Sequence, residues 1–163
     1  MSILDKPAPE AAEGLIGMTL LRRLPDGREI RARITETEAY FRQTDTACHA
    51  RFGRTKRSEM LYRPAGTIYV YLCYGIHWML NLVTGPEDDP QAVLIRGVEG
   101  ASGPGRVTKY LAIDGGLNGT CLGEDLGLIE EKSSCPAVKR TPRIGIDYAS
   151  AEDRARLWRF VAE

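Results

Sequence analysis

The chain has 163 residues, 43% of them hydrophobic and 27% charged, which suits a single water-soluble domain with one core and no need of staples. Its 22 basic and 22 acidic side chains cancel, so it does not hold nucleic acid by bulk charge alone, and Met1 to Glu10 lacks the basic start and apolar run of a leader. A cytoplasmic location is the default expectation. Cys48, Cys73, Cys121 and Cys135 are widely spaced with no Cys-x-x-Cys, which speaks against a zinc site and for reduced, mostly buried thiols. The charge balance is uneven along the chain: Arg51, Arg54, Lys56, Arg57 and Arg63 face only Glu59, and Lys132, Lys139, Arg140 and Arg143 lie in a stretch without an acid. Two such segments could touch phosphates on one face, or simply be solvated.

The first element predicted is a strand from Ile30. Alternation puts Ile30, Ala32, Ile34, Glu36, Glu38 and Tyr40 on one side and Arg31, Arg33, Thr35, Thr37 and Ala39 on the other. The apolar side therefore turns acidic. A carboxylate there is costly unless donors bind it or it stands at the mouth of a cavity. From Thr67 to Val83 the chain is nearly continuous in apolar and aromatic residues, but Gly75, His77, Asn81 and the tyrosines argue against a membrane span. A hairpin fits better. Ile68, Val70 and Leu72 would share a face with Ile76, Trp78, Leu80 and Leu82; Tyr69, Tyr71 and Cys73 would join His77, Met79, Asn81 and Val83 on the other, with Tyr74-Gly75 at the turn. A tyrosine at a hairpin tip has no core to fill, so Tyr74 is a candidate contact residue, whereas Tyr69 and Trp78 read as packing.

Further elements are a strand over Gln91–Val98, a short helix from Gly105 to Leu111, and strands at Leu126–Glu130 and Arg143–Ile146. Ser150 and Asp153 resemble a capping box with Asp in place of Glu, and Leu157 to Val161 has strand composition, so a helical turn followed by a last strand is expected. The predicted class is α+β, one domain over residues 1–163 on a curved, mostly antiparallel sheet with short helices.

The ordered set Glu38-Ala39-Tyr40, His49, Arg63-Pro64-Ala65-Gly66-Thr67-Ile68-Tyr69-Val70-Tyr71, Tyr74-Gly75, Asn81 and Val93-Leu94-Ile95-Arg96 resembles the alkyladenine (3-methyladenine) DNA glycosylase family. The likeness runs from about Leu15 to Val161 and rests on separated motifs in order. It implies a monofunctional enzyme of base excision repair that flips an alkylated or deaminated purine out of duplex DNA and hydrolyses its N-glycosidic bond, as a monomer without cofactor or metal. In a bacterium it would be nucleoid-associated.

By the same resemblance Glu38 is the base that activates water and Arg96 helps hold that water and carboxylate. Tyr40, His49 and Tyr71 wall the flipped base, Tyr74 fills the vacated stack, and Asn81 disfavours the amino group of guanine. The backbone at Ile144-Gly145 completes the water site. The chemistry is consistent with these residue types: aromatic faces stack an extruded base and favour a cationic one, and no lysine is recognisably placed for a Schiff base. Glu36 reads as a structural acceptor.

Two alternatives stand beside this. One is a binding module that keeps the aromatic face without turnover. The other is a metal hydrolase using Glu36, Glu38 and His49, which lack a recognised ligand spacing. The chain also departs from the family pattern: only Gly97 to Ser102 separate Arg96 from Gly103-Pro104-Gly105, and little follows Val161. Lesion range and affinity are open on that account.

Overall fold

The computed structural model describes residues 1–163. In chain order the elements are α1 (Ala8–Leu15), β1 (Thr19–Arg23), β2 (Glu29–Phe41), β3 (Ile68–Cys73), β4 (His77–Val83), β5 (Gln91–Val98), β6 (Ala101–Ser102), α2 (Pro104–Tyr110), β7 (Leu126–Ile129), β8 (Val138–Thr141), α3 (Ala151–Ala155) and β9 (Arg159–Ala162). The strands form a curled antiparallel sheet in the order β3-β4-β5-β2-β1-β7, with β6 on β5 and β9 bridging β2 to β8. The α+β class is therefore as the sequence predicts. No helix is long and apolar enough to cross a membrane.

The main core lies between one face of the sheet and the helices. Ala8, Ala11, Ala12 and Leu15 of α1, at the i, i+3, i+4, i+7 spacing of a helical stripe, join Val107 and Leu111 against Ile68, Val70, Leu80, Leu82, Val93 and Ile95. Burial of each leucine, isoleucine or valine side chain there favours folding by about 1.5–3 kcal/mol. The other face carries a smaller cluster of Cys48, Ala50, Leu61, Tyr62, Tyr69, Val83 and Ala92. There two 3₁₀ turns, His49–Phe52 and Ser58–Tyr62, fold over the strands.

β2 is the spine, and its alternation breaks in the middle. Pairing with β5 shifts register between Ile34 and Glu36 and again between Glu36 and Thr37. Before the shift Ala32 and Ile34 face the main core; after it Ala39 does, while the Thr37 hydroxyl donates to the Ala12 carbonyl on α1. The expectation that Ala32, Ile34, Glu36, Glu38 and Tyr40 share one face is thus corrected. Two irregularities that cancel in register, with Ile34 opposite Val98 before them and Thr37 opposite Ile95 after, change the parity of both strands and turn Glu38 and Tyr40 to the opposite layer. Gly97, paired with Glu36, makes room for this, since a Cβ there would lie 3.0 Å from both Glu36 Cβ and Thr35 Oγ1.

The hairpin of β3 and β4 has the predicted faces, with Tyr69 opposite Asn81 and Tyr71 opposite Met79; Cys73 pairs with His77, so Ile76 joins Tyr74 and Gly75 in the connection. Tyr74 and Gly75 have φ of 53° and 66°, and the Ile76 N–H donates to the Cys73 carbonyl, which defines a type I′ turn. Leu72 and Ile76 nevertheless stand largely exposed with Tyr74, because the tip projects past the core.

Two further expectations are corrected. No strand forms at Arg143–Ile146; the strand lies earlier, at β8, and Gly145 has φ of 75°. The cause is Arg143, which is no surface cation but is drawn inward by Asp45. The expectation of mostly buried thiols is also corrected: only Cys48 is buried, whereas Cys121 and Cys135 are exposed, since both lie in connections outside the strands and helices that build the core. The expected Ser150 cap does form, with Asp153 N–H donating to the Ser150 hydroxyl, and β9 follows.

Candidate active site

A cavity of about 450 Å³ opens between the β3–β4–β5 face, the end of β2, the segment carrying His49 and the loop at Ile144–Ile146. Glu38, Tyr40, His49, Tyr71, Tyr74, Asn81 and Arg96, the residues singled out from the sequence, all line it. Four strands, a 3₁₀ turn and the hairpin tip supply them, so the grouping depends on the bulge and hairpin register described above.

Glu38 is fully buried at one end of the cavity. Its Oε1 accepts from the Tyr40 hydroxyl at 2.8 Å and its Oε2 from the Ile144 backbone N–H at 2.7 Å. Arg96 Nη1 stands 3.8 Å from Oε1. Burial raises the Glu38 pKa above the ordinary value; Arg96, the Ile144 N–H and Tyr40 oppose the rise without cancelling it. A carboxylate so held keeps a lone pair for a water while its basicity exceeds that of a solvated glutamate.

The walls are aromatic. His49 and Tyr71 meet edge to face at 4.6 Å, Tyr69 and Tyr71 lie 5.2 Å apart, and the Arg57 guanidinium sits 4.9 Å from the Tyr71 ring centre. His49 Nδ1 shares a 2.9 Å hydrogen bond with the Tyr69 hydroxyl. Burial, together with the charges of Arg57 and Arg51, lowers the His49 pKa to about 4, so the ring is neutral near pH 7. The Asn81 amide donates to the carbonyls of Tyr69 and Met79 at 3.2 and 3.3 Å, which fixes its orientation. Tyr74 stands at the rim, 91% exposed.

The loop that delivers the Ile144 N–H is anchored by a buried ion pair. Arg143 donates to both oxygens of Asp45 at 2.7 and 2.9 Å, and to the carbonyls of Ala39 and Asp153. Both side chains are essentially inaccessible. Asp45 also accepts from the N–H groups of Phe41 and Ala47. Neither residue was identifiable from the sequence, where Asp45 carries no motif and Arg143 looks like one cation among several. Tyr69, read as packing, does pack, yet it also lines the cavity and orients His49. Its place beside Tyr71 on one strand face was the available signal.

Of the other cations in the two basic stretches, Arg54 pairs with Glu59 and Asp88, and Arg140 with Glu13. Nowhere do three side chains among His, Cys, Asp and Glu converge as metal ligands would. Glu36 accepts from Arg159 instead.

A buried glutamate thus lies in an aromatic cleft beside a hairpin that presents a tyrosine. The sequence matches the methylpurine-DNA glycosylase family over residues 2–163. A protein of Methanocella arvoryzae is 41% identical over 96% of this chain and 88% of its own length, and one of Psychrobacter cryohalolentis is 42% identical over 88% and 82%. One from Synechococcus elongatus is 42% identical over 88% and 78%; all three bear the provisional name 3-methyladenine DNA glycosylase. The chain belongs to the methylpurine-DNA glycosylase family, and is a hydrolase of N-glycosidic bonds with DNA as its substrate.

Proposed function

We propose that the enzyme flips alkylated or deaminated purine nucleotides out of duplex DNA into this cavity and hydrolyses the N-glycosidic bond with a water activated by Glu38. The observation that carries the reading is the buried Glu38, tied to Tyr40 and the Ile144 N–H and facing Arg96, within a cleft walled by Tyr40, Tyr71 and His49. Unstacking and unpairing a base costs a few kcal/mol, least at a damaged site, and stacking on aromatic rings offsets it. Alkylation makes the purine a cationic leaving group, which the faces of tyrosine rings favour by roughly 0.5–2 kcal/mol. As the bond lengthens, positive charge grows on the sugar; the ionised Glu38 stabilises it and takes the proton of the attacking water. Arg96 helps orient water and carboxylate. Asn81, its amide pinned, is a fixed obstacle where the amino group of guanine would enter.

The residues that line the cavity all come from one chain, which supports a monomer, and a DNA substrate fits a cytoplasmic location, nucleoid-associated if the protein is bacterial. Duplexes carrying single 3-methyladenine, 7-methylguanine, hypoxanthine or ethenoadenine lesions test the reading. Free base and an intact strand with an abasic site should appear, equally in excess chelator. A borohydride-trapped adduct, dependence on divalent metal, or binding without turnover would each refute it.

Tyr74 supplies a second check. At the tip of a type I′ turn its ring can enter the gap left by the flipped nucleotide and recover stacking of about 1–3 kcal/mol. Tyr74→Ala is therefore expected to weaken binding and excision on paired duplex by about tenfold, and by less where the lesion faces a mismatch. An equal loss on both, with unchanged melting temperature, would remove the wedge role.

A further inference from the structure

Beside Glu38 lies a set of four charges, Glu36 and Glu38 with Arg96 and Arg159, contributed by β2, β5 and β9. The approach of the two arginines to Glu36 is unequal. Arg159 Nε hydrogen-bonds Glu36 Oε1, while its Nη1 donates to the Thr141 hydroxyl on β8 at 3.0 Å. Arg96 Nε is 3.4 Å from that same Oε1, makes no hydrogen bond there, and is buried without any partner. Arg96 Nη1 then reaches toward Glu38 at 3.8 Å. Arg96 is thus suspended between two carboxylates, nearer to the one that takes no part in the chemistry.

We propose that Arg159 is a positioning residue: by holding Glu36 Oε1 from the last strand, it keeps Glu36 from capturing Arg96 and leaves that guanidinium to Glu38 and its water. Two cations balance two carboxylates in the native cluster. Without Arg159 a single cation serves both, and the shorter separation and the vacant Nε draw Arg96 to Glu36. A buried N–H left unpaired is costly, so the transfer would be favoured by a new hydrogen bond as well as by charge. The bulge and Gly97 matter here because they bring Glu36 over β5, within reach of both arginines. The inference rests on Glu38 acting as the base.

The test is the pH dependence of single-turnover excision. The charged and titratable groups facing Glu38 are Tyr40 and Glu36 on β2, Arg96 on β5, Arg159 opposite it on β9, Tyr71 on β3 and Arg143 beside the Ile144 loop. Arg96 lowers the Glu38 pKa in this set, so losing it moves the acid limb of the rate upward. Arg159→Met should cut the neutral-pH rate about tenfold and shift the acid limb up by about one pH unit. Arg159→Lys should recover most of both. Adding Glu36→Gln to Arg159→Met should return the limb to the wild-type position, because no second carboxylate then competes.

A 13C titration of the Glu38 carboxyl in the DNA-free variants reports the same shift without turnover, and melting curves separate it from loss of fold. An acid limb and Glu38 titration unmoved in Arg159→Met, or a double variant no better than the single one, would overturn the proposal while leaving the glycosylase reading intact. Wild-type protein that releases no base from any lesion, or a Glu38→Gln enzyme that remains active, would overturn that reading and this inference with it.

Discussion

Glu38→Gln is expected to lower single-turnover excision by at least about a hundredfold while damaged DNA is still bound, since general-base contributions start near that size. The amide keeps the volume of the acid and its oxygen can accept from the Ile144 N–H or the Tyr40 hydroxyl, so the cavity should keep its shape. The pH profile gives a second signature. A base acts when ionised, and burial raises the Glu38 pKa above 4.5, so the wild-type rate should fall as pH drops through that raised value. In the glutamine variant the acid limb should vanish. Rates on a 3-methyladenine duplex within about threefold of wild type, with binding followed by anisotropy, would take Glu38 out of the role.

The largest effect on stability should come from a residue remote from the chemistry. Asp45→Asn leaves Arg143 buried with no countercharge, and breaking such a pair typically costs 3–5 kcal/mol. For a chain of this size that corresponds to a fall of roughly 6–20 °C in melting temperature. Glu13→Gln, which breaks the exposed pair with Arg140, should cost less than about 1 kcal/mol. Calorimetry on both variants measures the contrast, and similar melting points would show that Arg143 finds other compensation. Because Arg143 precedes Ile144, the Asp45 variant should also lose excision in excess of its loss of fold.

What was legible in the sequence follows the kinds of force involved. The β3–β4 hairpin is local: period-two alternation sets its faces, and Tyr74-Gly75 suits the positive φ angles of its turn. Glu38 stands out from the strand alternation and Tyr74 from the hairpin tip, while His49, Arg96 and the roles of Tyr40, Tyr71 and Asn81 come through the resemblance; the fold brings all seven to one cavity. The bulge at Thr35–Thr37 was not legible, because it arises from pairing with β5 across a long separation and Gly97 is its only local mark. Arg143 was misjudged for a similar reason. Composition cannot show that its partner is Asp45, 98 residues away, and without that pair a strand at Arg143–Ile146 is the natural reading. α1 is not among the predicted elements, although Ala8, Ala11 and Ala12 form a helical stripe in the sequence.

The double register slip in β2 makes this stretch behave like a phase plate. Upstream of Thr35 even-numbered positions belong to the layer of α1 and α2; downstream they belong to the layer of the cavity. Substitutions in the segment trade one side chain for another, but a single-residue insertion or deletion between Ile34 and Glu38 would invert the phase of all that follows. Ala39 would then be presented to the cavity, and a carboxylate and a phenol to an apolar core. Drift in length should accordingly be accepted in the turns at Asp26-Gly27 and Glu99-Gly100 and refused here, so that this protein's tolerance of change is set by parity as much as by chemistry.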